Sequence, residues 1–208
     1  NAAGFVRVAD AGRERDGCFA WNADGAARLA RACAGAGMPL VTFSSDLVFD
    51  GRLGVDHREE DPIGPICAYG ESKAEGERRV LAEHPEALVV RTAAFFGPWD
   101  RHNFAYHVLG RLARGETVAA CPRTFVSPTY VPDLCHAALD LLIDGESGLW
   151  HLANQGRTSW HAFARRLAAG AGHDEAQVIE APGAETRSTA LASSRGPMLR
   201  PLDQAIDA

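Results

Sequence analysis

Tyr69 and Lys73 stand four residues apart in the segment Tyr69-Gly70-Glu71-Ser72-Lys73. In a helix that spacing puts both side chains on one face. An ammonium beside a phenol favours the phenolate, so the pair predicts a Tyr69 pKa below the reference value of about 10. Such a phenol can protonate a carbonyl oxygen as a hydride arrives at the carbon. Ser45, at the end of an apolar run, offers a hydroxyl to hold that oxygen. The spacing alone is also what any amphipathic helix face produces, so the elements that position these residues have to decide.

Residues 39–45 and 87–92 are apolar runs, the first stopping at Ser44-Ser45. Continuous apolar runs predict strands buried on both faces, as in a parallel sheet between helix layers. Between them the sequence predicts a loop over 50–65, rich in Gly, Pro and acids, and a helix over 68–84 closed by Pro85. An earlier helix over 13–37 carries Ala26, Leu29, Ala30 and Cys33 at helical spacing. Gly35 and Gly37 end it ahead of a strand, the reverse of a nucleotide-binding glycine turn. This order predicts an α/β fold, a Rossmann-like doubly wound parallel sheet, with ligands at the carboxyl ends of its strands. After Gly97, helices over 103–114, 132–142 and 159–169 alternate with short strands such as 148–152, which predicts a smaller mixed α/β lobe. The division is therefore 1–97, carrying the Tyr/Lys pair, and 98–208. The stretch 181–197 reads as irregular.

A formal charge of −6 argues against a nucleic-acid partner, since no basic surplus exists to neutralise phosphates. Cys18, Cys33, Cys67, Cys121 and Cys135 show no CxxC spacing and predict free thiols in a reducing cytoplasm, with neither a zinc site nor disulfides. No apolar run reaches the roughly 20 residues of a membrane span. His102 and His107 lack metal-ligand spacing. Trp99, Trp150 and Trp160 read as packing residues, Trp99 also lying near enough to Asn103 to border a pocket. The charges over 75–79 read as the solvated face of the helix that carries Tyr69.

Five motifs occur in order: Asn1-Ala2-Ala3-Gly4; Asn22-Ala23-Asp24-Gly25; Phe43-Ser44-Ser45-Asp46-Leu47-Val48-Phe49-Asp50-Gly51; Tyr69-Gly70-Glu71-Ser72-Lys73; and Arg91-Thr92. Together with Ser127-Pro128-Thr129, Gly148-x-Trp150-His151 and Ser159-Trp160-x-x-Phe163-Ala164, they resemble the extended short-chain dehydrogenases, most closely the dTDP-4-dehydrorhamnose reductases. The resemblance covers nearly the whole chain. It implies an NADPH- or NADH-dependent enzyme that reduces the 4-keto group of a nucleotide-linked deoxysugar. Tyr69 would be the proton donor, Lys73 would tune it and hold the nicotinamide ribose, and Ser45 would bind the reacting oxygen. Asn1, Ala2, Ala3, Ser44, Arg91 and Thr92 would join Tyr69 and Lys73 in contacting the cofactor. Asp46, Asn103, Phe104 and Arg187 would join Ser45 in contacting the sugar nucleotide, and Asn22 would support the site. The same resemblance assigns 98–208 mainly to sugar-nucleotide binding and is compatible with a homodimer.

Dehydratase relatives carry an Asp-Glu pair after the Ser or Thr; here Asp46-Leu47 follows, and leucine moves no proton, which favours reduction. Arg123 and Leu47 depart from the residues many members have. The family's glycine-rich turn is absent, and it is expected upstream of Asn1 with the first strands. On that expectation this chain alone binds a dinucleotide poorly. A non-catalytic NAD(P)-binding regulatory subunit and a sugar-nucleotide epimerase are the alternatives.

Overall fold

The computed structural model describes residues 1–52, 54, 56–182 and 186–208. In chain order the elements begin α1 (Arg15–Phe19), a π-helical turn (Ala20–Gly25), α2 (Ala26–Gly35), β1 (Val41–Phe43), α3 (Ala68–Glu83), β2 (Leu88–Arg91) and β3 (Phe95–Phe96). They continue with α4 (Phe104–Leu112), β4 (Val118–Ala120), β5 (Thr124–Val126), β6 (Thr129–Tyr130), α5 (Val131–Ile143), β7 (Gly148–His151), β8 (Asn154–Gln155) and β9 (Thr158–Ser159). Last come α6 (Trp160–Gly170), β10 (Val178–Glu180), β11 (Arg187–Ser188), β12 (Leu199–Pro201) and α7 (Leu202–Ile206).

The two apolar runs form the sheet they predict. β1 pairs in parallel with β2, Val41 opposite Leu88, and β2 pairs in parallel with β7. All four residues of β2 are buried, and they alternate in what they meet. Ala87 and Val89 pack with Ala26, Ala30 and Cys33 of α2 and Val80 of α3. Leu88 and Val90 pack the other way, against Leu134 and Ala138 of α5 and Trp150 of β7. Both faces are covered by helices, so the fold is Rossmann-like α/β with a parallel sheet.

Two expectations need correction. Residues 148–152, assigned to the smaller lobe, supply β7, the third strand of the main sheet. The reason is α5, which begins with Pro132 in its first turn and carries the chain back to the free edge of β2. The helix over 13–37 is not one regular helix: α1 and α2 flank the π turn, in which Asn22 and Ala23 are buried. The remaining lobe gathers α4, α6 and α7 over short strand pairs. Its core is Phe96, Ala105, Phe163, Leu167, Leu202 and Ala205, with Phe104 and Trp160 against it.

Of the stretch 181–197, residues 183–185 lie outside the described residues. The rest is irregular as expected, with β11 and a single bridge between His57 and Leu191, yet Ser188, Thr189, Ala190 and Leu191 are buried. No described helix is long and apolar enough to cross a membrane.

Candidate active site

Tyr69 and Lys73 lie in the first turns of α3. The helix is started by Cys67, whose extended backbone lets Sγ accept the Gly70 N–H at 3.4 Å. Backbone seats α3 on two sides. A Cβ on Gly70 would lie 2.0 Å from the Leu47 carbonyl oxygen, and one on Gly76 2.3 Å from that of Asn22. Only glycine permits either approach. Between Tyr69 and Lys73, Ser72 Oγ donates to the Tyr69 carbonyl at 2.7 Å and accepts from Asn22 Nδ2 at 3.0 Å. Asn22 also accepts from the Phe5 N–H at 2.9 Å and donates to the Phe5 carbonyl at 3.2 Å. The π turn thus fastens the N-terminal segment to the helix that bears the reactive pair.

Lys73 Nζ donates to the Phe43 carbonyl at the end of β1, 3.2 Å away, and stands 5.7 Å from the Tyr69 ring centre. Just beyond β1, Ser45 Oγ accepts the Leu47 N–H at 3.1 Å and donates to Asp46 Oδ1 at 3.0 Å. Asp46 is buried, and its Oδ2 accepts from Thr189 Oγ1 at 2.5 Å. Burial pushes the Asp46 carboxyl up to about 6 against the pull of those hydrogen bonds. Burial also lowers the Lys73 ammonium.

The expected depression of the Tyr69 pKa is not found. Burial first, and the Asp46 carboxylate second, push the phenol up. The reason is geometric: the ammonium is directed at a main-chain oxygen, so it leaves desolvation uncompensated. Tyr69 is therefore a neutral phenol, a proton holder.

The other expected residues divide into two groups. Ala2 and Ala3 are exposed along the segment before Phe5, and Asn1 Nδ2 donates to Thr42 Oγ1 at 3.1 Å beside β1. Among the described residues Ser44 Oγ is buried with no hydrogen-bond partner, and Lys73 has one acceptor for three N–H groups. An orphaned hydroxyl, and an ammonium with N–H groups to spare near the exposed Ala2-Ala3 segment, fit the ribose and amide of a nicotinamide nucleotide. Thr92 is buried, with Oγ1 donating to Thr129 Oγ1 at 3.2 Å.

Arg91, Asn103 and Phe104 are held elsewhere. The Arg91 guanidinium is enclosed: it forks onto Glu77 at 2.8 and 2.7 Å, donates to the Glu59 carbonyl, and lies over Phe49. Its side chain is a strut between β2 and α3 and has no free donor edge for a cofactor. Asn103 caps α4, accepting from the Tyr106 N–H at 2.7 Å and donating to the Gly97 and Asp100 carbonyls. Phe104 stacks among Trp160 and Phe163. Arg187 is exposed and lines a cavity of about 370 Å³ with Asp50, Arg52, Ile66 and Thr186. An adjoining hollow of about 340 Å³ adds Phe125 and Arg157. Ile66 precedes Tyr69 by three residues in the chain, and Ser188, which lines the second hollow, adjoins the Thr189 that bonds Asp46.

Sequence reasoning missed three features. Glu77, expected on a solvated face, is buried against Arg91. Glu59 is buried and collects donors from the His151 N–H, Ser193 Oγ, and the N–H and Oγ of Ser194. Burial works to raise its carboxyl, but these hydrogen bonds prevail and hold it at about 2. Thr189, remote in sequence, closes on Asp46. The signal available was weak: a charged residue three or four places from the reactive pair, and a Thr in an unpatterned stretch. Trp99, expected as a packing residue, is 78% exposed. Trp150 is buried, as expected of a packing residue. Among the described residues no cluster of His, Cys, Asp and Glu is placed to hold a metal, and Cys18, Cys33, Cys67, Cys121 and Cys135 are all free thiols.

A family model described as the RmlD substrate binding domain matches residues 1–201. The chain is 37% identical over 200 residues to a dTDP-4-dehydrorhamnose reductase of Mycobacterium tuberculosis, covering 93% of this chain and 66% of that protein. It is 34% identical over 170 residues to one of Sinorhizobium fredii, covering 78% of this chain and 57% of that protein. The chain thus spans roughly three-fifths of the curated relatives it matches. Among solved structures, a dTDP-4-dehydrorhamnose reductase from Bacillus anthracis in complex with NADP superposes with a TM-score of 0.91 at 26% identity, covering 99% of this chain and 76% of that one. A dTDP-glucose 4,6-dehydratase from Streptomyces venezuelae shares the fold, with a TM-score of 0.79 at 18% identity.

Proposed function

The chain belongs to the RmlD substrate binding domain family, and from that premise we propose that the protein reduces the 4-keto group of a dTDP-linked 6-deoxysugar with NADPH or NADH. One observation carries the reading. Lys73, with Tyr69 one turn before it on α3, bonds the Phe43 carbonyl at the carboxyl end of β1, which runs straight into Ser44 and Ser45, and open α/β sheets take their ligands at such ends. The relatives named for this reaction, and the solved one in complex with NADP, support it.

A reduced nicotinamide supplies a hydride when bound; the rest of the chemistry is the chain's own. Ser45 orients the keto oxygen. Tyr69, kept as a phenol by burial, gives its proton to that oxygen as the carbon is reduced. Lys73 keeps its positive charge 5.7 Å from the Tyr69 ring and offers its two remaining N–H bonds to ribose hydroxyls. Ala2, Ala3 and Thr92 border the cofactor through their backbone. Arg52, Arg157 and Arg187 supply positive charge for the nucleotide diphosphate in the cavity they line. Leu47, which moves no proton, removes the acid/base pair that dehydration needs. On this reading 1–97 is mainly the cofactor side and 98–208 mainly the sugar-nucleotide side, in a cytoplasmic enzyme whose expected assembly is a homodimer.

The test follows NADPH absorbance with the full-length gene product and dTDP-4-keto-6-deoxy-L-mannose. Stoichiometric oxidation is expected. Measurable NADPH binding without oxidation overturns the reductase reading in favour of an epimerase or a regulatory subunit.

A further inference from the structure

Among the described residues of the reactive corner, Asp46 is gripped from the far end of the chain. Its Oδ1 takes the Ser45 proton, and its Oδ2 takes the Thr189 proton across 143 positions of sequence. Thr189 is not free to wander. Its N–H donates to the Phe125 carbonyl at 3.0 Å, and the Ser188 N–H donates to the Gly51 carbonyl at 3.0 Å. The His57 N–H donates to the Ala190 carbonyl at 2.8 Å, and the Leu191 N–H donates to Ser127 Oγ at 3.0 Å. Beyond them Glu59 holds Ser193 and Ser194. The segment 188–194 is therefore a strap pinned along both edges, with Thr189 as its one contact on Asp46.

We propose that Thr189 is a positioning residue of the proposed reaction: by holding Asp46 Oδ2 it fixes the carboxylate that in turn fixes the Ser45 hydroxyl at the reacting oxygen. Ser45 has a single proton, directed at Asp46, and one of its two lone pairs takes the Leu47 N–H. How readily that proton turns to a keto oxygen depends on where Asp46 Oδ1 sits and how much charge it carries. Thr189 contributes to both, as the largest hydrogen-bonding influence on the carboxyl, ahead of Ser45 and the backbone N–H groups of Asp46 and Leu47. Without its hydroxyl, Oδ2 becomes a buried acceptor with no donor, which disfavours the charged carboxylate and frees it to move. The titratable groups around this corner are Tyr69 and Lys73 of α3, with Cys67 at the helix start and Cys18 of α1 acting on Tyr69. None of them replaces the Thr189 donor.

The kinetic part of this inference rests on the reductase reading; the hydrogen bond does not. The test compares Thr189→Val, which keeps the shape and loses the hydroxyl, with Thr189→Ser, which keeps the hydroxyl. In Thr189→Val we expect kcat to fall about tenfold, the loss of one hydrogen bond to a charged group, with KM within twofold. The limb of the pH–rate profile set by Asp46 should move to higher pH, since the removed donor favoured the charged form. Thr189→Ser should restore both. Carbon-13 NMR of the Asp46 carboxyl gives a second reading with no substrate present: its titration midpoint should rise in Thr189→Val and return in Thr189→Ser. An unchanged midpoint in Thr189→Val sinks the proposal whatever the enzyme's activity. If the midpoint rises while kcat and the pH profile of an active enzyme stay put, the contact exists and the positioning role is wrong. A wild-type protein that oxidises no NADPH while the midpoint still moves overturns the reductase reading and leaves Thr189 as the residue that fixes Asp46.

Discussion

Two buried polar clusters lie along α3, one at Tyr69 and Lys73 and the next a turn further on at Glu77, and they are built to opposite rules. In the corner of Tyr69, Lys73, Ser44 and Ser45, one hydroxyl has no partner, the ammonium has one acceptor, and burial pushes Tyr69 and Asp46 up and Lys73 down, all towards neutral forms. In the knot of Glu59, Arg91, Glu77 and His151, the guanidinium is forked onto a carboxylate, and the other carboxylate holds its donors so well that it stays charged down to about 2. A saturated cluster rigidifies, because every buried charge has its compensation. An unsaturated one waits for a ligand to complete it. Burial alone does not tell a reactive residue from a structural one; the state of its hydrogen bonds does.

The contrast can be broken most forcefully at Tyr69. Tyr69→Phe is expected to lower turnover by about 10²–10⁴-fold, the usual worth of a general acid, while NADPH binding, read by fluorescence, stays within a few-fold. Near-normal turnover would move Tyr69 into the structural class. In the knot, Glu77→Gln should do the reverse: it leaves Arg91 buried without its carboxylate and costs about 3–5 kcal/mol. Urea unfolding would read that loss, and a variant as stable as the parent would show that the pair is not the strut described.

The knot also carries a pH signature. The Glu59 carboxyl is held at about 2, below its ordinary 4.5, so its stabilisation is complete above 4.5 and disappears as pH falls toward 2. Stability measured by urea unfolding at pH 7 and pH 3 should therefore differ less in Glu59→Gln than in the parent. An identical pH dependence in the two proteins would remove Glu59 from the account of acid unfolding. The smallest effect belongs to Asn103→Ala. With its side chain occupied in capping α4, the substitution should cost about 1 kcal/mol of stability and leave KM within twofold; a large rise in KM would restore Asn103 as a substrate contact.

What the sequence conveyed followed from periodicity and local chemistry. The runs at 39–45 and 87–92 announced buried strands because apolar residues fall at successive positions and not at alternate ones, and Tyr69 and Lys73 shared a face because four residues nearly complete a helical turn. Asn103 was implied as a substrate contact by the family resemblance, while its place at the start of a helix is equally the signal of a cap. The charges of 75–79 looked solvated, since nothing local distinguishes Glu77 from Glu75; only the arrival of Arg91 from the next strand does. The Tyr69 pKa was misjudged for a related reason: spacing placed the ammonium near the phenol but not where its hydrogen points. Segment 188–194 has no periodicity, since its hydrogen bonds run to loops on both sides and its side chains obey no single face.

The grip of Thr189 on Asp46 also bears on the order in which the molecule is made. β1, α3 and β2 can leave the ribosome and pack while the rest of the chain is still being synthesised, because their contacts are close in sequence. The corner they form has no Thr189 until residue 189 has emerged, 143 positions after Asp46. A nascent chain therefore passes through a long interval with its sheet assembled and its acid corner open, and the reactive geometry is among the last things the protein acquires.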